Sequence, residues 1–209
     1  MSPQGPVFIK CILSMDPALH RAFSDEYQVM HSLSHPGIPA YYGMIEDFPL
    51  PDREGHALAL CMEDCLKMPQ LDLAGLSWPD LIETLSQICG ILSYLLENGV
   101  LYTDLNPTNI LLHYDKGIEV SLVDYSFCYF FLENPYPEYS LRFSYNLSPK
   151  LKGQQLLIQE MSFLLQELID QRTNSQVPSS LYRLLEAGKN PPDYLSLSEY
   201  SSMIKETRP

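Results

Sequence analysis

Between Ser77 and Asp124 the sequence leaves the chain little freedom. Leu81, Leu85, Ile88, Leu92 and Leu95 recur at helical spacing and predict an amphipathic helix. Ser77 with Asp80 forms its start signal, and Asn98-Gly99 its stop. Directly after it comes Val100-Leu-Tyr-Thr-Asp104-Leu-Asn-Pro-Thr-Asn109. Two apolar runs follow, Ile110–Leu112 and Ile118–Val123, on either side of Asp115-Lys-Gly117. A turn between apolar runs predicts a short hairpin. Asp104, Asn109 and Asp124 then sit where strands end, so two carboxylates and an amide gather in one mouth. Oxygen donors of this kind suit Mg²⁺, which takes one or two protein carboxylates and completes its shell with substrate phosphates. The remaining carboxylate can accept a proton from a hydroxyl nucleophile. Taken singly, each of these residues could equally satisfy backbone amides in a turn.

The flanking sequence sets the fold class. Upstream, Val7–Leu13 reads as a strand. Asp16-Pro17 opens a helix, with Asp at the N-cap and Pro at the first helical position. Phe23, Tyr27 and Met30 give that helix an apolar stripe, and His35-Pro36-Gly37 ends it. Strands are expected near Tyr41–Glu46 and His56–Glu63, joined by a turn over Pro49–Gly55. Downstream, residues 129–150 are aromatic and proline-rich and read as a long loop. A helix carrying Leu157, Met161, Leu164, Leu165 and Leu168 comes next. Ser180–Gly188 and a last helix capped by Ser196 and Glu199 complete the chain. Strands with one helix give way to helices, which is an α+β fold with two unequal lobes.

Composition narrows the function classes. At 209 residues, 45% hydrophobic and 19% charged, the chain can bury the core of one domain and is not generally disordered. Thirteen basic against 26 acidic residues give a net charge of −13, which disfavours nucleic acid and anionic membrane as partners. No stretch approaches the roughly 20 apolar residues that span a bilayer. Met1-Ser-Pro-Gln-Gly-Pro lacks the regions of a signal peptide. Cys61 and Cys65 are close enough for a metal, but no second pair stands at zinc spacing. With Cys11, Cys89 and Cys128 they read as free thiols of a cytoplasmic protein.

In order and spacing, Asp104-Leu105 with Asn109, then Asp124-Tyr-Ser126, resembles the H-R-D-L-x-x-x-N and D-F-G motifs of the eukaryotic-type protein kinases. Val7-Phe-Ile-Lys10 is similar to their V-A-I-K. Glu26 falls at the helix Glu, and the run to His35-Pro36-Gly37-Ile38 resembles the passage ending in H-P-N-I. Leu60-Cys-Met-Glu63 is similar to the strand entering the adenine hinge, and Leu181–Ile204 to the last helices. The resemblance spans nearly the whole chain and implies a single domain over residues 1–206, with a reduced N-lobe at 1–64 and a helical C-lobe at 65–206. It implies ATP and Mg²⁺ as cofactors. Lys10, positioned by Glu26, would hold the α/β-phosphates, and Asp104 would take the substrate hydroxyl proton. Asn109 and Asp124 would hold the metal, and backbone near Met62, Glu63 and Asp64 would meet the adenine.

Several positions depart from the pattern. Only nine residues precede Lys10, so two strands and the Gly-rich loop over the phosphates are expected to be missing from this chain. Tyr102 and Thr103 replace His and Arg, Asn106 removes a positive charge near the transferring phosphoryl group, and Ser126 replaces the Gly of D-F-G. Leu157 and Gln159 stand where the following helix usually has Asp and Trp. The aromatic run from Cys128 to Tyr145 suits either a partner-binding surface or packing over a bared lobe. Three readings follow: a minimal Ser/Thr-type protein kinase, a pseudokinase scaffold, and a small-molecule kinase of related fold. The expected partner is a protein substrate or a regulatory protein.

Overall fold

Val7–Ile12 forms the first strand, β1, and the alternation of its side chains puts Phe8 and Lys10 on one face. The computed structural model describes residues 6–13, 17–50, 56–66, 72–114, 116–126, 128–130, 153–172 and 176–207. After β1 comes helix α1, Pro17–Met30, then strands β2, Tyr41–Pro49, and β3, His56–Glu63. The three strands make one antiparallel sheet in the order β1-β3-β2. Phe8 pairs with Met62 and Lys10 with Leu60, while Met62 pairs with Tyr41 on the far side. Phe23, Glu26 and Met30, on one stripe of α1, are buried. The Asp16 cap, the turn over 51–55, Asp115 and Met1–Gly5, part of the segment expected to lack the phosphate-covering loop, lie outside the described residues.

The second part is built on α2, Trp78–Glu97. Ser77 caps it, accepting from the Asp80 amide at 3.3 Å and donating to the Asp80 carboxylate at 2.6 Å. All five leucines and isoleucines of the predicted stripe are buried, and so are Ile82, Cys89, Ile91 and Leu96. The helix is therefore central, enclosed on more than one face. Gly99, with φ 78°, ends it in the left-handed region. Strand β4, Val100–Leu101, follows, then the antiparallel hairpin of β5, Ile110–Tyr114, and β6, Ile118–Leu122. Gln87 clamps α2 to this hairpin: its Nε2 donates to the Ile118 carbonyl at 2.7 Å and its Oε1 accepts from Val120 N at 3.1 Å.

One expectation is corrected here. The loop read from residue 129 begins with a strand, β7, Tyr129–Phe130, which pairs antiparallel with β4. Pairing with two fully buried apolar residues outweighs the loop-like composition that follows. Residues 131–150 lie outside the described residues. Helices α3, Gly153–Asp170, α4, Ser179–Lys189, and α5, Leu197–Glu206, pack with α2 into the helical part. Ser196 and Glu199 form the predicted capping box. No helix among the described residues is long and apolar enough to cross a membrane.

Candidate functional site

Lys10, in the middle of β1, reaches across to both other elements of the site. Its Nζ lies 3.1 Å from each Glu26 oxygen and 2.9 Å from Asp124 Oδ1. Glu26 is fully buried, a position a carboxylate keeps only when paired and hydrogen-bonded. Its second partner is Tyr41, whose hydroxyl donates to Oε1 at 2.7 Å. Burial, and then the Glu26 charge, push the Tyr41 phenol far above its ordinary range, so it stays a donor.

Asp124 follows β6 in the left-handed region, at φ 59°. That conformation is uncommon for a side chain with Cβ, though Asp tolerates it better than most. The backbone around it is tied from three sides. Tyr102 donates its hydroxyl to the Val123 carbonyl at 2.7 Å, and Tyr125 donates to the Leu122 carbonyl at 3.0 Å. Val123 N donates to the Asn109 carbonyl at 3.0 Å. Both tyrosines are buried and meet edge to face at 5.3 Å. Burial would raise the Asp124 carboxyl, but the Lys10 ammonium and the Ser126 hydrogen bonds overcome it and hold the group below the usual carboxylate range.

Asp104 is bracketed by two amides. Asn109 Nδ2 donates to its Oδ2 at 2.8 Å and its carbonyl at 3.0 Å. Asn106 Nδ2 donates to its Oδ1 at 3.0 Å. The residue read from sequence as a lost positive charge therefore fixes one carboxylate oxygen of Asp104. Beneath this loop, on α3, lies a residue that sequence reading missed. Glu160 is 2% exposed, and its Oε2 has no hydrogen-bond partner among the described residues. Burial, and then the charge of Asp104, push its carboxyl up to about 8. Its place on the buried stripe with Leu157 and Leu164 was the available signal.

Between the sheet and the hairpin runs a cleft of about 280 Å³. Phe8, Pro39, Met62 and Leu66 line it from the strand side and its connections, Leu111 and Val123 from the hairpin, with Lys10 and Asp124 in its polar part. Of the sequence-predicted hinge residues, Met62 and Glu63 line this cleft. Asp64 is not among the lining residues and turns its carboxylate to Leu66 N at 2.9 Å. The structure thus brings Lys10, Glu26 and Asp124 together directly and couples Asp104 to Asn109. Phe8, Leu111 and Val123 are wall residues that the sequence reading did not single out.

Asn109 and Asp124 have the donor chemistry for Mg²⁺. The Asn109 amide nitrogen is committed to Asp104, which leaves its oxygen for a cation. The bonds from Lys10 Nζ and the Ser126 backbone N–H to Asp124 both fall on Oδ1. Two protein oxygens suffice where phosphates supply the rest.

A strand-rich part with a lysine paired to a buried glutamate, joined through an apolar cleft to a helical part carrying a held Asp–Asn pair, is the architecture of the protein kinases. The sequence profile of the protein kinase domain matches residues 5–150, and the chain belongs to that family. It is 29% identical over 117 residues to the serine/threonine-protein kinase RUNKEL of Arabidopsis thaliana, covering 54% of this chain and 8% of that protein. To an activated Cdc42 kinase-like protein of Drosophila melanogaster it is 30% identical over 102 residues, 47% of this chain and 8% of the relative. It is 30% identical over 123 residues to the serine/threonine-protein kinase PknD of Chlamydia muridarum, 54% of this chain and 13% of that protein. The chain matches only a small part of the length of each.

Proposed function

We propose that residues 1–206 form a divergent protein kinase-type domain, with lobes at 1–64 and 65–206, that binds ATP and Mg²⁺ in the cleft. Phosphotransfer to a Ser/Thr hydroxyl of a protein is then weak or dependent on a regulatory protein partner. The observation that carries this reading is Lys10, which bridges a buried Glu26 and Asp124 in the polar part of an apolar cleft. Lys10 would bind phosphate oxygens, and Glu26 with Tyr41 would hold its ammonium in place. Asn109 and Asp124 would hold Mg²⁺, which offsets phosphate charge while ATP supplies the phosphoryl group. Asp104, fixed by Asn106 and Asn109, would orient the acceptor hydroxyl and take its proton.

A second reading is a pseudokinase scaffold, favoured by Asn106. It places a neutral amide on Asp104 where the resemblance leads one to expect a cation for the transferring group. Thermal unfolding with ATP, Mg²⁺ and both, beside Asp124→Asn and Asp104→Asn, separates the two. A ligand that binds only the folded state must stabilise it. The kinase-type reading expects a Mg²⁺-dependent rise in Tm that Asp124→Asn loses and Asp104→Asn keeps, with Asp104→Asn abolishing transfer. No rise at millimolar ligand leaves the scaffold reading standing.

A further inference from the structure

We propose that the outer face of the β1-β3-β2 sheet docks one basic amphipathic helix of a partner protein. This face points away from the cleft, so the inference goes beyond the nucleotide reading and does not depend on it. Side chains alternate across a strand. Phe8, Lys10 and Ile12 of β1 take the inner face with Leu58, Leu60 and Met62 of β3, which belong to the main core. The residues between them point outward. Two rows cross the outer face, Ile9–Cys61–Gly43 and Cys11–Ala59–Ile45. Neither row holds a charged side chain. Among the described residues, Ile9, Cys11 and Cys61 do not pack against the main core. Ile45 is 40% exposed, Ile9, Cys11 and Cys61 are half-buried, and Ala59 is buried between its neighbours. An antiparallel sheet with one wet face ordinarily turns polar residues to it. An apolar face in that position marks an interaction surface.

Size and charge select the occupant. The rows lie within about 13 Å of strand, and three strands span about 10 Å between outer axes. With side chains the area is on the order of 300 Å², well below the roughly 800 Å² per partner that a stable dimer covers. A second copy would therefore need further surface, whereas one helix, about 10–12 Å wide, covers the face by itself. Both ends of the face are acidic. Glu63 pairs with Val7 at one end, and the exposed Glu46 and Asp47 lie in the β2 bulge at the other. Lys10 is the only lysine or arginine of the three strands, and it turns inward to Glu26. A helix with an apolar stripe flanked by Lys and Arg complements both the face and its rim. The same acidic rim and the net charge of −13 disfavour an anionic bilayer there.

Fluorescence anisotropy of the full chain with a labelled amphipathic Leu/Lys helical peptide tests the assignment, beside a scrambled peptide of the same composition and a Leu/Glu analogue. Thiol alkylation, mapped cysteine by cysteine, locates the bound peptide. Wild type is expected to bind the Leu/Lys helix about tenfold more tightly than either control. With peptide at ten times its Kd, alkylation of Cys11 and Cys61 should slow roughly tenfold, while that of Cys65, in the cleft, does not change. Ile45→Lys and Ile9→Lys place a like charge on the face and should each weaken binding by about tenfold. Leu19→Lys adds the same charge at a residue of α1 that is 49% exposed, and should leave binding as it is. Equal binding of the scrambled peptide, or unshielded Cys11 and Cys61, overturns the inference. So does an equal loss in Leu19→Lys, which would mean that only the overall charge is read. A dimer in sedimentation velocity that Ile45→Lys dissociates would give the face to a second copy and overturns it too. Ile45 is exposed, so Ile45→Lys is expected to keep the wild-type far-ultraviolet circular dichroism.

Discussion

At the scale of single residues, Glu26 shows how the site is held. A carboxylate with no solvent exposure is kept by Lys10 and by the Tyr41 hydroxyl. Removing one partner of a buried pair costs more than the pair contributes, because the other charge is stranded. Lys10→Met is therefore expected to destabilise the chain by roughly 2–3 kcal/mol, under the range for a fully enclosed pair. The discount reflects the Lys10 side chain, which is 19% exposed. Adding Glu26→Gln to Lys10→Met should recover part of that loss. Tyr41→Phe removes only the hydroxyl, a bond to a charged group worth about 1.5–3 kcal/mol. Urea unfolding of the four variants measures all of these. Additive losses for Lys10→Met and Glu26→Gln would show that the pair is not energetically coupled.

At the scale of elements, two helical glycines of opposite environment give a paired prediction. Gly188 in α4 touches both neighbouring helices: a Cβ there would lie 2.7 Å from Ser162 Cβ on α3 and 2.8 Å from the Tyr200 hydroxyl on α5. Gly188→Ala is expected to cost about 1–3 kcal/mol through overpacking. Gly90 in α2 is exposed, with nothing within 4 Å of a Cβ. Gly90→Ala should stabilise the chain by about 0.5–1 kcal/mol through helix propensity alone. Thermal melts of both variants check the pair, and a shift of the same sign in each would contradict the packing. The elements themselves were legible in the sequence because their signals are local. The α2 period, the Ser77 and Ser196 caps and the Asn98-Gly99 stop each act within a few residues. Other features depend on distant chain. Nothing near Tyr41 announces its bond to Glu26, and nothing near Gln87 announces its clamp on β6. Asp104, Asn109 and Asp124 could be read because a motif fixes their spacing. The cleft walls could not, since strand alternation gives a face but not what stands opposite it. Asn106 looked like a missing charge because composition records what a residue lacks, not the oxygen it binds.

At the scale of the whole molecule, two carboxyls shifted in opposite directions shape stability against pH. Asp124 is held below the usual carboxylate range, so its contribution is present above that range and lost as pH falls through its lowered value. Glu160 is raised from 4.5 to about 8, chiefly by burial and then by Asp104. Below pH 4.5 it is protonated in both folded and unfolded chains and costs nothing. As pH rises from 4.5 to about 8 the unfolded chain releases this proton while the folded chain keeps it, so stability falls across that window. The loss is on the order of 2–4 kcal/mol, and above the window it stays constant. Maximum stability is therefore expected on the acidic side of neutrality. Self-repulsion of a chain with net charge −13 also grows with pH, but salt screens it and does not screen a buried carboxyl. Urea unfolding from pH 4.5 to 8.5 at low and high salt, with Glu160→Gln as the neutral isostere, separates the two causes. Glu160→Gln should flatten the decline at both salt concentrations and gain most over wild type near pH 8. Parallel profiles for wild type and Glu160→Gln would mean that the folded chain already carries Glu160 ionised, and that a cation or donor reaches its Oε2.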